Sequence, residues 1–400
     1  MSSCDHPLKY ADLCTICGAH VPSTEDNNMI PSGQANLSLS ISATEAAKRA
    51  ADQRSKLISS RRLTAVLDLD HTLLHCTAVP FTNLSKIPFS QSDLEQASTP
   101  SAPVTFFDLD GFRYFLQIRP FAREFIKKLS TVFDVYVFTM GTRAYAFRCL
   151  HHLQVLSEIP ESHVFSRDDV DSKTGRKTII RIFPTGTTMT IILDDNFPVW
   201  GAFGPLVHII PPFIHWNRER YVDPWDMVLP PSPKDKSLLE VLELFLFVHM
   251  KFYQYFDRNE ETTVGAILTG RREGAMAGVK VMMVNVPKYE DLCFALSRCS
   301  GEVVGSLSDC THLVCNSQST ELYHQAIAKG DVFVVALSWL YQSLAGLKRC
   351  SEARHLLSLQ ATASVNPDFC DDVVEIIELL QKKRSKSIFD QLMDEYFDDD

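Results

Sequence analysis

Leu63-Thr64-Ala65-Val66-Leu67-Asp68-Leu69-Asp70-His71-Thr72-Leu73-Leu74 is an apolar, strand-forming run that ends in two aspartates one residue apart, followed by a hydroxyl. In open parallel sheets, functional groups collect just beyond the carboxyl ends of the strands. Side chains alternate along an extended chain, so Asp68 and Asp70 point one way and Leu69 the other. The same aspartates could instead cap the backbone N–H groups of a turn. The stretches that follow favour the first reading.

Val132-Phe133-Asp134-Val135-Tyr136-Val137-Phe138 reads as a second buried strand, and it ends in Thr139-Met140-Gly141-Thr142. A hydroxyl at a strand tip, then a Gly opening a helix, can hold a phosphate between a side chain and backbone N–H groups. Thr also caps helices for purely structural reasons. Thr188 to Leu193 is a third strand, ending in Asp194-Asp195, and Leu206 to Ile210 a fourth. A polar segment containing Ser166-Arg167-Asp168-Asp169, Lys177 and Arg181 lies between the second and third. Asp110-Gly111, flanked by Val104 to Asp108 and Phe112 to Ile118, predicts a β-hairpin. Pro120 suits the first turn of a helix, and Phe121, Phe125 and Leu129 recur at four-residue spacing, as a helix packed on a sheet requires. Thr82 to Pro103 has no apolar periodicity and reads as a loop or a partly disordered stretch.

Strands ending in Asp-x-Asp, Thr and Asp-Asp, with a Lys before the last, resemble in order the four motifs of haloacid-dehalogenase-type phosphotransferases. Charge supports a catalytic reading. A carboxylate attacking a phosphate dianion is repelled by about 8 kcal/mol at about 4 Å and an effective dielectric of about 20. Four carboxylates gathered at such a place call for a cation, and Mg2+ accepts one or two carboxylates plus phosphate and water. The expected roles are Asp68 as nucleophile and Asp70 as general acid, then base. Thr139 and Lys177 would hold the phosphoryl oxygens. Asp68, Asp195 and the Asp70 carbonyl would bind Mg2+, with Asp194 orienting its waters. Lys177, taken alone, reads equally as a solvated lysine.

A narrower resemblance rests on Asp68-Leu69-Asp70-His71-Thr72-Leu73-Leu74-His75, Ile118-Arg119-Pro120, Phe138 to Ala146, Ser166 to Asp169, Arg181-Ile182-Phe183-Pro184, and Leu193-Asp194-Asp195 before Trp200. Together these resemble the TFIIF-associating phosphatases of the RNA polymerase II carboxy-terminal domain. The resemblance implies phosphoserine in heptad repeats as substrate, Mg2+ dependence and a nuclear location. It also gives Arg119 a supporting role near the site, although an arginine at a helix start is ordinary; Thr72 and Arg119 are grouped with the expected phosphate-binding residues. Two positions depart from the pattern: Asn196 stands where Arg is usual and Pro198 where Asp is usual.

The resulting expectation is an α/β chain: a Rossmann-like haloacid-dehalogenase parallel sheet with a β-hairpin insertion over 58–230, then a linking helix over 231–258. Residues 259–355, with Thr263 to Leu268 opening an alternation of strands and helices and with Trp339 as a core residue, resemble a small α/β BRCT domain. There Thr269-Gly270 fits the strand-end hydroxyl of phosphopeptide-binding modules. Lys329, however, sits late on its helix, so a docking role is preferred. Gly301 is expected at the C′ position of the helix spanning Asp291 to Cys299.

Cys4, His6, Cys14 and Cys17, within a 1–20 segment, offer four soft ligands for Zn2+, or are incidental thiols on a tail. In the 21–57 stretch, residues 22 to 42 are Ser-, Asn-, Pro- and Gly-rich and read as a flexible link; Ala43 to Leu57 reads as a helix. Lys382 to Lys386 is a candidate nuclear import signal or a solvated face. Within the 365–400 tail, Ile388 to Phe397 forms an acidic amphipathic segment that can fold into a partner's groove, TFIIF by the resemblance, or simply solubilise the chain end.

Composition bounds these readings. The 400 residues carry a net charge of −10, which argues against direct nucleic-acid binding, and the apolar runs are too short to cross a bilayer. Cys4, Asp5 and His6 stand where a signal peptide would be apolar, and eleven irregularly placed cysteines read as reduced thiols. The alternative function is a catalytically silent phosphopeptide adaptor. Intact Asp68, Asp70, Thr139, Lys177, Asp194 and Asp195 favour an enzyme.

Overall fold

The computed structural model describes residues 4–21, 29–86, 90–98, 103–171, 173–183, 186–215, 235–286, 289–315 and 320–357. The proline cluster at 230–233, the import-signal candidate and the acidic tail lie outside them. The chain divides into two compact units, 1–270 and 271–400.

The first unit opens with β1 (Leu8–Tyr10), β2 (Leu13–Cys14), β3 (Met29–Ser32) and β4 (Leu39–Ser42), an antiparallel sheet in the order β2-β1-β4-β3. Residues 29–42, whose polar composition suggests a link, thus form two strands. The pairing of β4 with β1 is a distant contact that local composition does not carry. Ser42 then caps α1 (Ala43–Ser59) by accepting from the Glu45 N–H at 3.1 Å.

β5 (Leu63–Leu67) is buried along its whole length. It forms the centre of a parallel sheet with β9 (Phe133–Phe138), β10 (Val164–Phe165), β11 (Thr190–Asp194) and β12 (Val207–Ile209), in the order β10-β9-β5-β11-β12. The chain passes from β5 to β9 on one side and returns to β11 on the other. The carboxyl end of β5 is therefore the switch point, where open α/β sheets bind ligands.

Between β5 and β9 lies the insertion: β6 (Leu74–Pro80), α2 (Gln91–Ala97), β7 (Val104–Leu109) and β8 (Phe112–Ile118), whose strands form an antiparallel sheet in the order β6-β8-β7. The β7–β8 turn puts Asp110 at φ 50° and Gly111 at φ 81°, the two positive values a tight hairpin demands. Helix α2 falls in the stretch read as a loop. It is held by a Ser90–Asp93 capping box and buries Leu94 with Val79, Val104 and Phe115. One buried residue leaves no period to read.

α3 (Ala122–Val132) buries Ala122, Phe125, Ile126, Leu129 and Val132, each large side chain contributing about 1.5–3 kcal/mol. The helix begins one residue later than its spacing suggests, because Phe121 sits at φ 67° as the N-cap. α4 (Arg143–Leu153) is capped by Thr142. α5 (Ser237–Asp257), expected to be a linking helix, packs on the catalytic sheet: the Phe245 ring lies 6.3 Å from Phe125 and 5.9 Å from Phe133. Tyr253 donates to the carbonyls of Leu57 and Arg62 at 3.0 and 2.8 Å.

His249 of α5 donates to the Arg61 carbonyl at 2.6 Å, and burial holds its imidazole at about 4; burial holds His215 at about 4 as well. Both folded values lie below the ordinary value of about 6.5, so the unfolded chain takes up protons first as pH falls. Their stabilisation is complete above about pH 6.5 and lost toward pH 4, by up to about 3 kcal/mol each. Urea midpoints measured from pH 7.5 to 4.5 should fall accordingly, and His249→Phe should flatten the fall.

α6 (Val264–Arg272) corrects the reading of its sequence. Val264, Ile267 and Leu268 are buried at helical spacing, so the segment is a helix and Thr269-Gly270 is not a strand end. In the second unit, β13 (Lys280–Val284), β14 (Glu302–Val303), β15 (His312–Cys315) and β16 (Phe333–Val335) form a parallel sheet in the order β14-β13-β15-β16. Helices α7 (Tyr289–Arg298), α8 (Glu321–Lys329) and α9 (Leu337–Gly346) alternate with these strands. After α7 the left-handed position is taken by Ser300 at φ 64°, not by Gly301. A Cβ at Gly301 would collide with Leu296, which is why that residue is glycine. Trp339 is fully buried, stacks on His312 at 4.4 Å and donates to the Cys350 carbonyl. None of the described helices is long and apolar enough to cross a membrane.

Candidate active site

The parallel register aligns Leu67 with Val137 on one side and Leu193 on the other. The next residues in each strand, Asp68, Phe138–Thr139 and Asp194, therefore arrive at one level. The Asp68 N–H continues the ladder to the Leu193 carbonyl at 2.9 Å.

Lys177 reaches this point from the irregular segment before β11, where its N–H donates to the Val199 carbonyl at 2.8 Å. Its Nζ donates to Asp68 Oδ1 and to Asp194 Oδ2, both at 2.6 Å, and lies 5.2 Å above the Trp200 ring. Burial alone would push the lysine down. The two carboxylates outweigh that and raise it, so the ammonium stays charged. Asp194 also accepts from Trp200 Nε1 at 2.8 Å and from the Asn196 N–H at 2.7 Å, so its oxygens are fixed from three directions.

Ligand oxygens of Asp68, Asp194 and Asp195 lie within 4.8 Å of one another. Three carboxylates thus face one ammonium. Burial, only partly countered by Lys177, pushes the Asp68 carboxyl well above the usual range, and its acidic neighbours add to the rise. A hard divalent cation relieves that repulsion, and an all-oxygen donor set suits Mg2+. The residues present fit the ion.

Asp70 faces a different environment. Its carboxylate accepts from the Tyr145 hydroxyl at 2.5 Å and from Thr139 Oγ1 at 3.3 Å. Burial raises its pKa and the Tyr145 hydrogen bond only partly offsets this, which favours a carboxyl able to carry a proton. Thr139 Oγ1 in turn accepts from the Gly141 N–H at 2.9 Å. A Cβ on Gly141 would run into the Tyr145 ring, so the turn into α4 needs glycine there.

Two residues grouped with phosphate binding are spent elsewhere. Arg119, fully buried, donates to Asp235 at 2.7 Å and to the Thr72 and Pro211 carbonyls at 3.0 Å each. It pins the backbone of the loop after Asp70, so its place is that of a support for the site, with its hydrogen bonds going to Asp235 and to loop carbonyls. Thr72 Oγ1 accepts from the Asp195 N–H at 3.2 Å and donates to Asp195 Oδ1 at 3.4 Å, so it orients that acid.

Tyr145 and Trp200 are functional neighbours that the sequence does not single out by role. Tyr145 reads as another apolar position of α4; the signal is its place three residues after the capping Thr142, one turn above Thr139. Tyr145→Phe removes a hydrogen bond to a charged group, worth about 1.5–3 kcal/mol, and should slow turnover by about 10- to 100-fold without loss of fold. Steady-state kinetics with circular dichroism check this.

The fold, and the order of these groups along it, are those of a haloacid-dehalogenase-type parallel sheet with its acids gathered at the strand tips. Residues 63–251 match the family described as NLI interacting factor-like phosphatase. The chain is 27% identical over 221 residues to an RNA polymerase II C-terminal domain phosphatase of Schizosaccharomyces pombe, covering 52% of this chain and 30% of that protein. It is 25% identical over 399 residues to the Caenorhabditis elegans protein of the same name, covering 91% of this chain and 58% of that one. The chain thus spans less than two thirds of these relatives. Among solved structures, a fission yeast RNA polymerase II CTD phosphatase, Fcp1, shares the fold with a TM-score of 0.53 at 21% identity, covering 77% of this chain and 99% of that one.

Proposed function

We propose that this chain is a Mg2+-dependent protein serine/threonine phosphatase. Its substrate is the phosphorylated heptad-repeat carboxy-terminal domain of RNA polymerase II, in the nucleus, and the reaction proceeds through an aspartyl-phosphate on Asp68. The observation that carries the reading is Lys177 bridging Asp68 and Asp194 at 2.6 Å at the sheet's switch point, with Asp195 beside them. The substrate follows the names of the similar proteins.

Asp68 attacks phosphorus in line, forming the carboxylate O–P bond as the bond from phosphorus to the seryl oxygen breaks. Asp70 gives its proton to that departing oxygen. It then takes a proton from water, whose oxygen attacks phosphorus and releases phosphate from Asp68. Lys177 and Thr139 hold the phosphoryl oxygens, while Tyr145 keeps Asp70 turned toward the leaving group. Asp68, Asp195 and the Asp70 carbonyl would hold Mg2+, with Asp194 orienting its waters. When bound, the ion screens the charge between carboxylate and phosphate dianion.

The sheet order and buried Trp339 of the second unit support a BRCT docking module. TFIIF is the partner proposed for the acidic tail. Phosphate release from heptad peptides phosphorylated on one serine or another, with and without Mg2+, tests the activity. Release that depends on Mg2+ is expected; no turnover on any peptide, by protein with an ordered site, favours the adaptor.

A further inference from the structure

The four-stranded N-terminal sheet is too small to hold itself together. β2 has two residues, and within β1 to β4 the buried apolar side chains are Cys14 and Ile41. Domains of this size usually need a staple. One is at hand. Cys4 Sγ lies 3.8 Å from Cys14 Sγ, Cys17 Sγ lies 3.4 Å from His6 Nδ1, and all four ligand atoms fall within 4.8 Å of one another. With Zn–S about 2.3 Å and Zn–N about 2.0–2.1 Å, a tetrahedron has S–S edges of about 3.8 Å and S–N edges of about 3.5 Å. The Cys4–Cys14 and Cys17–His6 separations match those edges, and the remaining pairs lie within 4.8 Å. A disulfide would need sulfurs at about 2.05 Å.

The backbone around the cysteines is shaped in the same sense. The Gly18 N–H closes a turn on the Cys14 carbonyl at 3.0 Å, with Gly18 at φ 71°, and the N–H groups of Cys17 and Ile16 face the Cys14 sulfur. Such N–H groups hold a thiolate in place for a metal.

We infer that Cys4, His6, Cys14 and Cys17 bind one structural Zn2+, and that this site holds together the N-terminal sheet, which rests on the flank of the catalytic domain. The attachment runs through the loop between β3 and β4. The Gly33 N–H donates to the Arg181 carbonyl at 2.9 Å, and Gln34 Nε2 to the Glu161 and Val164 carbonyls at 2.8 and 2.9 Å. The Ala35 N–H donates to Asp169 Oδ1 at 2.6 Å. Asp169 is buried and also holds Arg143 at the start of α4. Both ends of the segment that carries Lys177 therefore lean on this sheet. The zinc site is remote from the acidic cluster in ligand chemistry: thiolates and imidazole select Zn2+, carboxylates Mg2+.

Elemental analysis of the full chain, purified without chelator, should find one zinc per molecule. Cys14→Ser and Cys17→Ser should lose it, and hydrogen exchange should rise over 8–14 and 39–42 while 63–67 stays protected. Co2+ replacing the zinc should give the intense visible absorption of a tetrahedral thiolate site. That spectrum decides by itself where the variants prove insoluble. Absence of zinc with no such spectrum, a Cys4–Cys14 disulfide in mass spectra of the non-reduced protein, or zinc retained in both variants overturns the assignment.

Discussion

Asp68→Asn lowers phosphate release by at least about 1000-fold and leaves the fold intact or slightly more stable. An amide oxygen cannot form an acyl phosphate, so the covalent step is lost, not slowed by misplacement. The fold survives because the substitution removes a charge that burial already disfavours, as the raised Asp68 carboxyl shows. Lys177 keeps Asp194 as its partner at 2.6 Å. Activity and melting temperature therefore move independently. Parallel turnover assays and thermal unfolding of the two proteins check this, and a variant with full activity contradicts the role given to Asp68.

Lys177→Met moves both quantities together. Removing the ammonium that bridges Asp68 and Asp194 leaves buried carboxylates uncompensated, which costs about 3–5 kcal/mol when half of such a pair is lost. The carboxylates then take up protons, so the nucleophile is neutralised and turnover falls by about 1000-fold or more. Added Mg2+ should recover part of the stability, because a divalent cation replaces the lost charge, but not the turnover. Urea unfolding with and without Mg2+ separates the two effects. Unchanged stability without the ion would mean that Lys177 is not the counter-charge of this cluster.

Much of this arrangement is legible in the chain because strands in a parallel sheet announce their ends. Asp68, Thr139 and Asp194 each follow an unbroken apolar run, and the sheet's register brings them to one level. Lys177 is legible only by its order between two strands; nothing in residues 173–183 predicts a side chain buried under Trp200. Arg119 misleads for the opposite reason. An arginine beside a catalytic motif suggests an anion, whereas among the described residues it bonds Asp235 and loop carbonyls, contacts made across more than forty residues. The N-terminal strands and α2 escape notice because short elements with one or two buried residues show no period. Val264 to Leu268 shows the converse: β-branched composition suggests a strand, but the 264, 267, 268 spacing of the buried residues makes a helix.

The central claim is that the phosphoryl group passes through Asp68. Quenching the enzyme in acid during turnover of a phosphorylated heptad peptide with Mg2+, reducing with borohydride and sequencing by mass spectrometry tests it directly, since an acyl phosphate is reduced to an alcohol. The account predicts homoserine at position 68 and unmodified Asp70. Steady turnover with position 68 untouched, or the modification at another residue, contradicts it.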